Sequence, residues 1–328
     1  AMSPNGNYLV GYNPTKVQFG IGTESFVYNM SDKTLNWVTT DDPEKWETSG
    51  LIRGVNDNGV LCGSVKDLKH FVEFYGDVAP TNVAAVFENG KITQLPYGDL
   101  DTTRIKQHGD GTFASSLTND GKVVVGYCKY SNFASSDPCK WTRTGEGTWK
   151  IEKLPLPEGY SNGLALYVSS DGRTIGGLAI NKGSSIACYW IDGQCHVVTC
   201  TGDDVELANK KQMRMIAVSP NGKYFIISLS SRSDYRLYDV EKAKTITLAT
   251  FESNDEMRIP TVTNNGDVFG AMIYGTLGMG GMGYYRNFWY QYSSRRIFDL
   301  TYYTYLFNPE LSMPFPLNYE DQAQAFPC

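Results

Sequence analysis

Four short segments of the chain are rich in carboxylates, the side chains that bind hard cations and that cleave glycosidic bonds. A ring of their oxygens could hold Ca²⁺, and a pair at a set separation could carry out acid–base chemistry on a sugar. None of the segments has the spacing of an EF-hand loop. The competing interpretation is an ordinary solvated rim in a chain with a net charge of −6. The segments carry Asp41, Asp42, Glu44 and Glu47; Asp99 and Asp101; Asp203, Asp204 and Glu206; and Glu252, Asp255 and Glu256.

Aromatic residues form a second set of candidates, because they concentrate in long insertions. Exposed rings can stack on sugars or anchor a protein partner. The alternative is that they pack against the underlying structure and merely order the insertions. The insertions are Asn13–Glu24, Lys66–Asn82, Lys129–Pro138 and Ile273–Arg286. The candidate ligand-binding residues are Phe74, Tyr75, Tyr130, Phe133, Tyr284 and Tyr285, together with Asp41, Asp42, Asp99, Asp101, Asp203, Asp204 and Asp255.

Other catalytic chemistry has little support in the sequence. The chain has three histidines and no Gly-x-Ser-x-Gly motif, which disfavours a serine nucleophile system. Cys195, His196 and Cys200 lack a fourth ligand at a zinc-type spacing. The glycine-rich stretch 275–283 lacks the Gly-Lys-Ser/Thr ending of a phosphate-binding loop. We therefore predict no catalytic residue and lean towards a non-enzymatic protein.

Composition narrows the class of partner. A pI near 5.2 and the absence of a basic stripe disfavour a nucleic-acid partner. No apolar run approaches the length of a membrane span. The seven cysteines are an odd number and are widely spread, which predicts buried thiols rather than disulfides. The first residues have no signal-peptide pattern, and they lie almost inside the first repeat, so we expect that a natural leader is missing.

A sequence pattern that occurs six times along the chain predicts the structural elements that would hold these candidate residues. Each copy has an Asn-Gly or Asp-Gly turn, which favours positive φ at two central residues. A small polar residue stands three positions before each turn glycine, where it can bond to the turn amides. An apolar residue stands four positions before it. The turn glycines are Gly6, Gly59, Gly121, Gly172, Gly222 and Gly266.

The rest of each copy has the pattern of three further strands. An apolar run follows the turn and in five copies contains a glycine, which indicates close approach of another backbone. A strand with an aromatic residue and a final strand follow. The most compact copy, Met213–Leu248, predicts strands at Met213–Ser219, Lys223–Ser228, Asp234–Asp239 and Lys244–Leu248. Four strands repeated at about fifty residues predict a β-propeller blade.

Two stretches resemble known propeller repeats. Ser219-Pro220-Asn221-Gly222-Lys223-Tyr224, followed by Leu237-Tyr238-Asp239, resembles the repeat of TolB-like propellers, whose motif usually reads SPDGK. Val168-Ser169-Ser170-Asp171-Gly172, with Ala187-Cys188-Tyr189-Trp190 after it, is similar to the HAF repeats of predicted extracellular proteins. The resemblance covers nearly the whole chain up to residue 300, with Asn for Asp in several turns and with long insertions. It implies a secreted bacterial β-propeller, and it supplies no catalytic residue.

We therefore predict a single-domain, all-β protein: a β-propeller of four-stranded antiparallel blades, six in number, with seven as the alternative. The predicted repeats are 1–48, 49–108, 109–160, 161–208, 209–254 and 255–300. In the tail, residues 301–328, we expect Gln324–Cys328 to complete the innermost strand of the first blade and close the ring.

For function, we predict a monomeric binding module that is secreted, periplasmic or on the cell surface. It would hold a glycan or a protein on its aromatic face. The first alternative is a carbohydrate-active enzyme of the glycosidase type, with carboxylates at the mouth of the central channel. The second is a structural propeller within a larger complex. No cofactor is expected, apart from the Ca²⁺ considered above.

Overall fold

The computed structural model describes residues 1–17, 20–48, 51–74, 77–97, 111–131, 135–201, 212–229, 234–250, 256–274 and 284–300. Every extended regular element in these ranges is a β-strand, and all strand pairings are antiparallel. The strands form six successive sheets. The predicted six-bladed β-propeller of antiparallel blades is confirmed.

The chain divides into two compact units, Ala1–Val198 with Pro220–Gly222, and Thr199–Ser219 with Lys223–Cys328. The first unit contains four blades. Blade 1 consists of β1 (Tyr8–Val17), β2 (Gly20–Asn29) and β3 (Thr34–Trp37); blade 2 of β4 (Trp46–Glu47), β5 (Ile52–Val55), β6 (Leu61–Phe74), β7 (Asp77–Glu88) and β8 (Lys91–Gln94); blade 3 of β9 (Gly111–Leu117), β10 (Val123–Ser131), β11 (Ser135–Gly145) and β12 (Thr148–Lys153); and blade 4 of β13 (Asn162–Val168), β14 (Thr174–Asn181), β15 (Ser184–Ile191) and β16 (Gln194–Val197).

The second unit contains two blades. Blade 5 consists of β17 (Arg214–Val218), β18 (Tyr224–Leu229), β19 (Asp234–Asp239) and β20 (Lys244–Thr250); blade 6 of β21 (Glu256–Val262), β22 (Val268–Tyr274), β23 (Tyr284–Gln291) and β24 (Arg296–Asp299). The four strands predicted for blade 5 are all present, each with bounds within two residues of the prediction.

Blade 1 has three strands in its sheet, and the first residues of the chain lie along its inner edge. The amide of Val10 donates to the carbonyl of Ala1 at 2.7 Å, and Met2 forms an isolated bridge with Leu9. The predicted closing segment, Gln324–Cys328, lies outside the described residues. The single-domain organisation with its repeat limits stays a prediction.

The turn between the first two strands of each blade has the predicted side-chain hydrogen bonds but not the predicted backbone. In all six turns the glycine has positive φ, whereas the Asn or Asp before it does not, so the prediction of positive φ at both central residues is wrong. In blade 4 the Ser169 hydroxyl accepts from the Thr174 amide at 3.0 Å and donates to the Asp171 carboxylate at 2.6 Å. Asp171 in turn accepts from the Arg173 amide at 3.0 Å. The polar residue three before the glycine accepts a turn amide in all six copies, at Ser3, Asn56, Thr118, Ser169, Ser219 and Thr263.

Within the first unit the turns also bond to one another, which the single-repeat pattern did not predict. The Asn5 amide donates to Asp57 Oδ1 at 2.8 Å, and the Asp57 amide donates to Asn119 Oδ1 at 3.0 Å. The Asn119 amide then donates to the Ser170 carbonyl at 3.2 Å, and the Ser170 amide to the Pro220 carbonyl at 2.7 Å. This ladder fixes the register between successive blades at their tight-turn end.

The turn carboxylates make a pH-dependent contribution to stability. Burial acts to raise the pKa of Asp171, but hydrogen bonds from Ser169 and the Arg173 amide outweigh burial and lower the pKa. The pKa of Asp120 is lowered in the same way, by hydrogen bonds from Thr118 and Lys122. A carboxyl whose pKa is lowered by folding stabilises the folded state at any pH above its unfolded-state pKa, which is about 4. This stabilisation is lost as the pH falls through the folded-state pKa.

We expect Asp171→Asn to show a smaller fall in Tm between pH 6 and pH 3 than the parent, measured by circular dichroism. Glu146→Gln, a charge-neutralising change in an exposed turn, is the control and should follow the parent curve. Equal slopes for Asp171→Asn and the parent would contradict this assignment.

The predicted glycines Gly126 and Gly177 of the second strands face bulges in the first strands of their blades. The register of β9 against β10 shifts between Val125 and Gly126, so the β9 backbone bends over Gly126. A Cβ atom on Gly126 would overlap the Phe113 carbonyl oxygen, and one on Gly177 would overlap that of Leu164. The close backbone approach predicted from the sequence is confirmed at both positions.

The aromatic residues of the third strands fill the space between blades. Trp141 and Trp190 are fully buried. The Trp141 indole donates to the Pro96 carbonyl of the preceding blade at 2.9 Å, and the Trp190 indole donates to the Pro155 carbonyl at 2.6 Å. Each tryptophan therefore joins its own blade to the segment that follows the last strand of the preceding blade.

Candidate functional site

The insertions predicted as long loops are, over their described residues, extensions of the strands. β1 pairs with β2 from Tyr8↔Asn29 to Val17↔Gly20, and β6 pairs with β7 out to Phe74↔Asp77. β10 and β11 continue to Ser131↔Ser135, and in the second unit β22 and β23 continue to Tyr274↔Tyr284. The loop prediction is corrected here, because a cross-strand ladder satisfies the backbone groups that a long irregular loop would leave to water. We call the end of the first unit's blades that carries its hairpins the hairpin end.

Most of the predicted ligand-binding side chains lie outside the described part of the structure. The side chains of Phe74, Tyr130, Tyr284 and Tyr285 belong to described strands but are not themselves described. The remaining members that lie outside the described residues are Tyr75, Phe133, Asp99, Asp101, Asp203, Asp204 and Asp255.

Asp41 and Asp42 are described, and both bond to backbone amides. Asp42 Oδ1 accepts from the Lys45 amide at 3.2 Å, at the start of the turn that leads into buried Trp46. Asp41 Oδ1 accepts from the Ile92 amide of β8 at 3.4 Å. These contacts tie the blade 1 to blade 2 connection to the outer strand of blade 2. The structure therefore gives this carboxylate pair a positioning role in the fold.

Two described aromatic side chains stand exposed on the hairpins of the first unit. Tyr12 on β1 is 60% exposed, and Phe71 on β6 is 56% exposed. Phe71 pairs with Pro80 just beyond a bulge, where the register of β6 against β7 shifts between Asp67 and Phe71. A bulge re-aims the side chains that follow it. Neither ring is needed for the blade cores.

The same bulge brings together a polar pair that the sequence analysis missed. The buried carboxylate of Asp67 lies 2.7 Å from His70 Nδ1, while the His70 side chain remains 65% exposed. Asp67 Oδ1 also accepts from the Lys69 amide at 3.0 Å. In a regular strand, residues three apart point to opposite faces and lie about 10 Å apart. Only the bulge, which has no signature in these residue types, allows the contact.

A charged cluster lies at the tight-turn end of the blades in the second unit. The buried Asp239 carboxylate accepts from Lys242 Nζ at 2.8 Å and from the Tyr292 hydroxyl at 2.7 Å. Burial acts to raise the pKa of Asp239, but these hydrogen bonds outweigh it and lower the pKa; the bond to Asp239 likewise raises the pKa of Lys242. A general base or acid works best with a pKa near the working pH. Both shifts move away from neutrality, so the cluster suits a structural lock between β19 and the β23–β24 turn.

Among the residues that the structure describes, no group of three or more His, Cys, Asp or Glu side chains could hold a metal ion. The predicted Ca²⁺ site therefore stays a prediction that rests on carboxylates outside those ranges. Among the same residues there is no helix with the length and apolar character to cross a membrane.

The chain matches no protein-family model and no curated protein sequence. Solved structures do resemble it. The β-propeller domain of the Trilobed protease from Pyrococcus furiosus matches with a TM-score of 0.51 and 8% identity, over 90% of this chain and 80% of that one. The Pyrococcus horikoshii acylaminoacyl peptidase matches with a TM-score of 0.50 and 9% identity, over 89% of this chain and 44% of that one.

A putative TolB from Agrobacterium tumefaciens matches with a TM-score of 0.48 and 13% identity, over 85% of this chain and 88% of that one. Identities this low show the fold and nothing about the activity. The chain is a six-bladed β-propeller, and TolB proteins are among the solved propellers that it resembles.

Proposed function

We propose that the protein is an exported, non-enzymatic binding module whose hairpin end holds a glycan or a protein partner. The observation that carries the proposal is the exposure of Tyr12 and Phe71 on strand-paired hairpins. Aromatic residues dominate the energy of binding surfaces, and both of these rings are exposed where a ligand could contact them.

The hairpins supply a rigid platform for such contacts. Because β1–β2 and β6–β7 continue as hydrogen-bonded ladders, their backbones are already ordered before a ligand binds, so binding has to order only the side chains. Exposed rings can stack on sugars or enter a protein pocket, so the contacts themselves suit either ligand. The resemblance of the repeats to exported propellers supports the location.

The carboxylates among the described residues also support a non-enzymatic role. Asp41 and Asp42 bond to backbone amides, and the Asp239 cluster has pKa values shifted away from neutrality. The alternative of a carbohydrate-active enzyme depends on Asp99, Asp101, Asp203, Asp204 and Asp255, and it remains the second candidate.

The test is a binding screen followed by a matched pair of variants. Glycan arrays and polysaccharide pull-downs, each with and without Ca²⁺, identify sugar ligands; a photo-crosslinking residue at position 71 identifies protein partners. Any ligand found is then titrated against Tyr12→Ser/Phe71→Ser. Loss of two rings at a cost of about 1–2 kcal/mol each should weaken the Kd by about 30- to 700-fold.

The control variant is Met30→Ser/Val197→Ser, which removes exposed apolar side chains away from the hairpin end. Met30 lies in the turn between β2 and β3, and Val197 lies on the outer strand β16. The control should bind like the parent. Equal Kd values for the parent and for Tyr12→Ser/Phe71→Ser would contradict binding at the hairpin end. Release of sugar from a bound polysaccharide would favour the alternative of a carbohydrate-active enzyme.

A further inference from the structure

Two pairs of cysteines lie on neighbouring strands of adjacent blades. In blade 3, Cys128 of β10 and Cys139 of β11 place their Sγ atoms 3.6 Å apart. In blade 4, Cys188 on β15 and Cys195 on β16 lie on the same face of their sheet, and Cys195 packs against the core cluster that contains Cys188. In both ladders the two cysteines are diagonal neighbours: Cys188 lies opposite Val197, and Cys195 lies opposite Trp190.

One cysteine of each pair occupies the same position in the repeat, and the other cysteine occupies a different position. Cys139 and Cys188 each stand two residues before the buried tryptophan of the third strand. Their partners come from opposite sides: Cys128 belongs to the second strand of its blade, and Cys195 belongs to the fourth and outermost strand. The blade 3 pair is therefore enclosed between other strands, whereas the blade 4 pair lies at the outer edge of its sheet.

This placement gives the pairs different access to solvent. Cys128, Cys139 and Cys188 have no exposed surface, and each lies in a core cluster that spans two blades. Cys195 packs against the cluster that contains Cys188 but remains partly exposed. An oxidant in solution can therefore reach one sulfur of the blade 4 pair and neither sulfur of the blade 3 pair.

The electrostatics agree with the geometry. The hydrogen bond from the Cys188 thiol lowers the pKa of Cys195, against the opposing effect of burial. The same bond, followed by burial, raises the pKa of Cys188. The accessible sulfur is thus the one that more readily becomes the thiolate, and thiolates are the attacking species in disulfide exchange.

We propose that Cys188 and Cys195 form an oxidisable dithiol in which Cys195 attacks and Cys188 resolves. With a glutathione-type disulfide, the Cys195 thiolate attacks one sulfur, forms a mixed disulfide and releases one glutathione thiolate. Cys188 gives up its proton and attacks Cys195 Sγ, which forms the Cys188–Cys195 disulfide and releases the second glutathione. The two protein thiols are oxidised, and the added disulfide is reduced to two thiols. The product joins β15 to β16 across the outer edge of blade 4.

The experiment is a thiol-mapping titration of the folded, fully reduced chain with oxidised glutathione. Remaining thiols are alkylated, and peptides are identified by mass spectrometry. We expect the peptide that links Cys188 to Cys195 to appear first and in high yield, while Cys128 and Cys139 remain alkylatable only after unfolding. Cys188→Ala should accumulate glutathione on Cys195, because the resolving thiol is gone, and Cys195→Ser should form neither product at Cys188.

Cys200→Ser is the matched control, since Cys200 is also partly exposed and lies five residues after Cys195. It should leave the Cys188–Cys195 link unchanged. The proposal would be overturned if the parent kept glutathione on Cys195 and formed no Cys188–Cys195 disulfide. A disulfide between Cys195 and Cys200 would overturn it as well. So would formation of a Cys128–Cys139 disulfide at the same rate as the Cys188–Cys195 disulfide. The circular dichroism spectrum of each variant confirms that folding is retained. If Cys188→Ala fails to fold, the linked peptide of the parent and the Cys195→Ser result still decide the matter.

Discussion

Replacing Trp141 by alanine is expected to lower the free energy of unfolding of the first unit by about 3–5 kcal/mol, the usual cost of truncating a buried tryptophan. Trp141 has no exposed surface and packs in a cluster with Cys62, Val86 and Leu95 of blade 2. Removing it leaves a cavity between two blades. It also leaves the Pro96 carbonyl, which accepts the indole hydrogen bond at 2.9 Å, without that donor.

The measurement is equilibrium unfolding in guanidinium chloride followed by far-ultraviolet circular dichroism. Trp149→Ala is the matched control on the same sheet, because Trp149 is only partly buried against the same cluster. Its loss should cost about 1–2 kcal/mol. Trp141→Phe separates the two contributions, since it restores most of the volume and none of the hydrogen bond. Similar costs for Trp141→Ala and Trp149→Ala would show that Trp141 does not anchor the contact between blades.

Gly126→Ala is expected to lower the free energy of unfolding by about 3 kcal/mol, a large cost for adding one methyl group. The new Cβ would overlap the Phe113 carbonyl oxygen and would lie 3.0 Å from the Ala114 Cα. Both obstacles are backbone of the bulged strand β9, which pairs with β10 along most of its length. Relief would require the innermost strand of blade 3 to shift as a whole.

Gly11→Ala is the matched comparison, because Gly11 has the same repeat position in blade 1. There the new Cβ would meet the far end of the Phe26 ring, a half-buried side chain that can turn away. We expect a cost of about 1 kcal/mol for Gly11→Ala, clearly below that of Gly126→Ala. Thermal unfolding of the two variants beside the parent makes the comparison, and equal shifts in Tm would refute the backbone-overlap explanation.

Local chemistry in the sequence was sufficient for the blades. The turn at Ser169 to Gly172 closes with the hydrogen bonds that Ser and Asp side chains favour, and Gly172 adopts the positive φ that the turn requires. The strands of blade 5 follow from alternation and turn spacing. These features depend on residues close together in the chain, so one copy of the repeat contains the information and six copies reinforce it.

The candidate site depended on contacts that local patterns do not contain. Asp41 and Asp42 look like ligand oxygens in the sequence, yet they bond to the amides of Ile92 and Lys45. The insertions look like loops because their tips are rich in turn residues, yet their flanks pair as strands.

Local residue patterns specify the blade, the positions of its turns and the number of its copies, because a strand–turn–strand unit depends on neighbouring residues. Which side chains meet depends on how the strands pair in the folded chain. The bulge of β6 brings His70 to Asp67, and the pairing of β15 with β16 brings Cys195 to Cys188. The physical reason is that a single-residue shift in register exchanges the faces of a strand, and cross-strand partners are fixed by packing between strands rather than by the residues beside them in the chain.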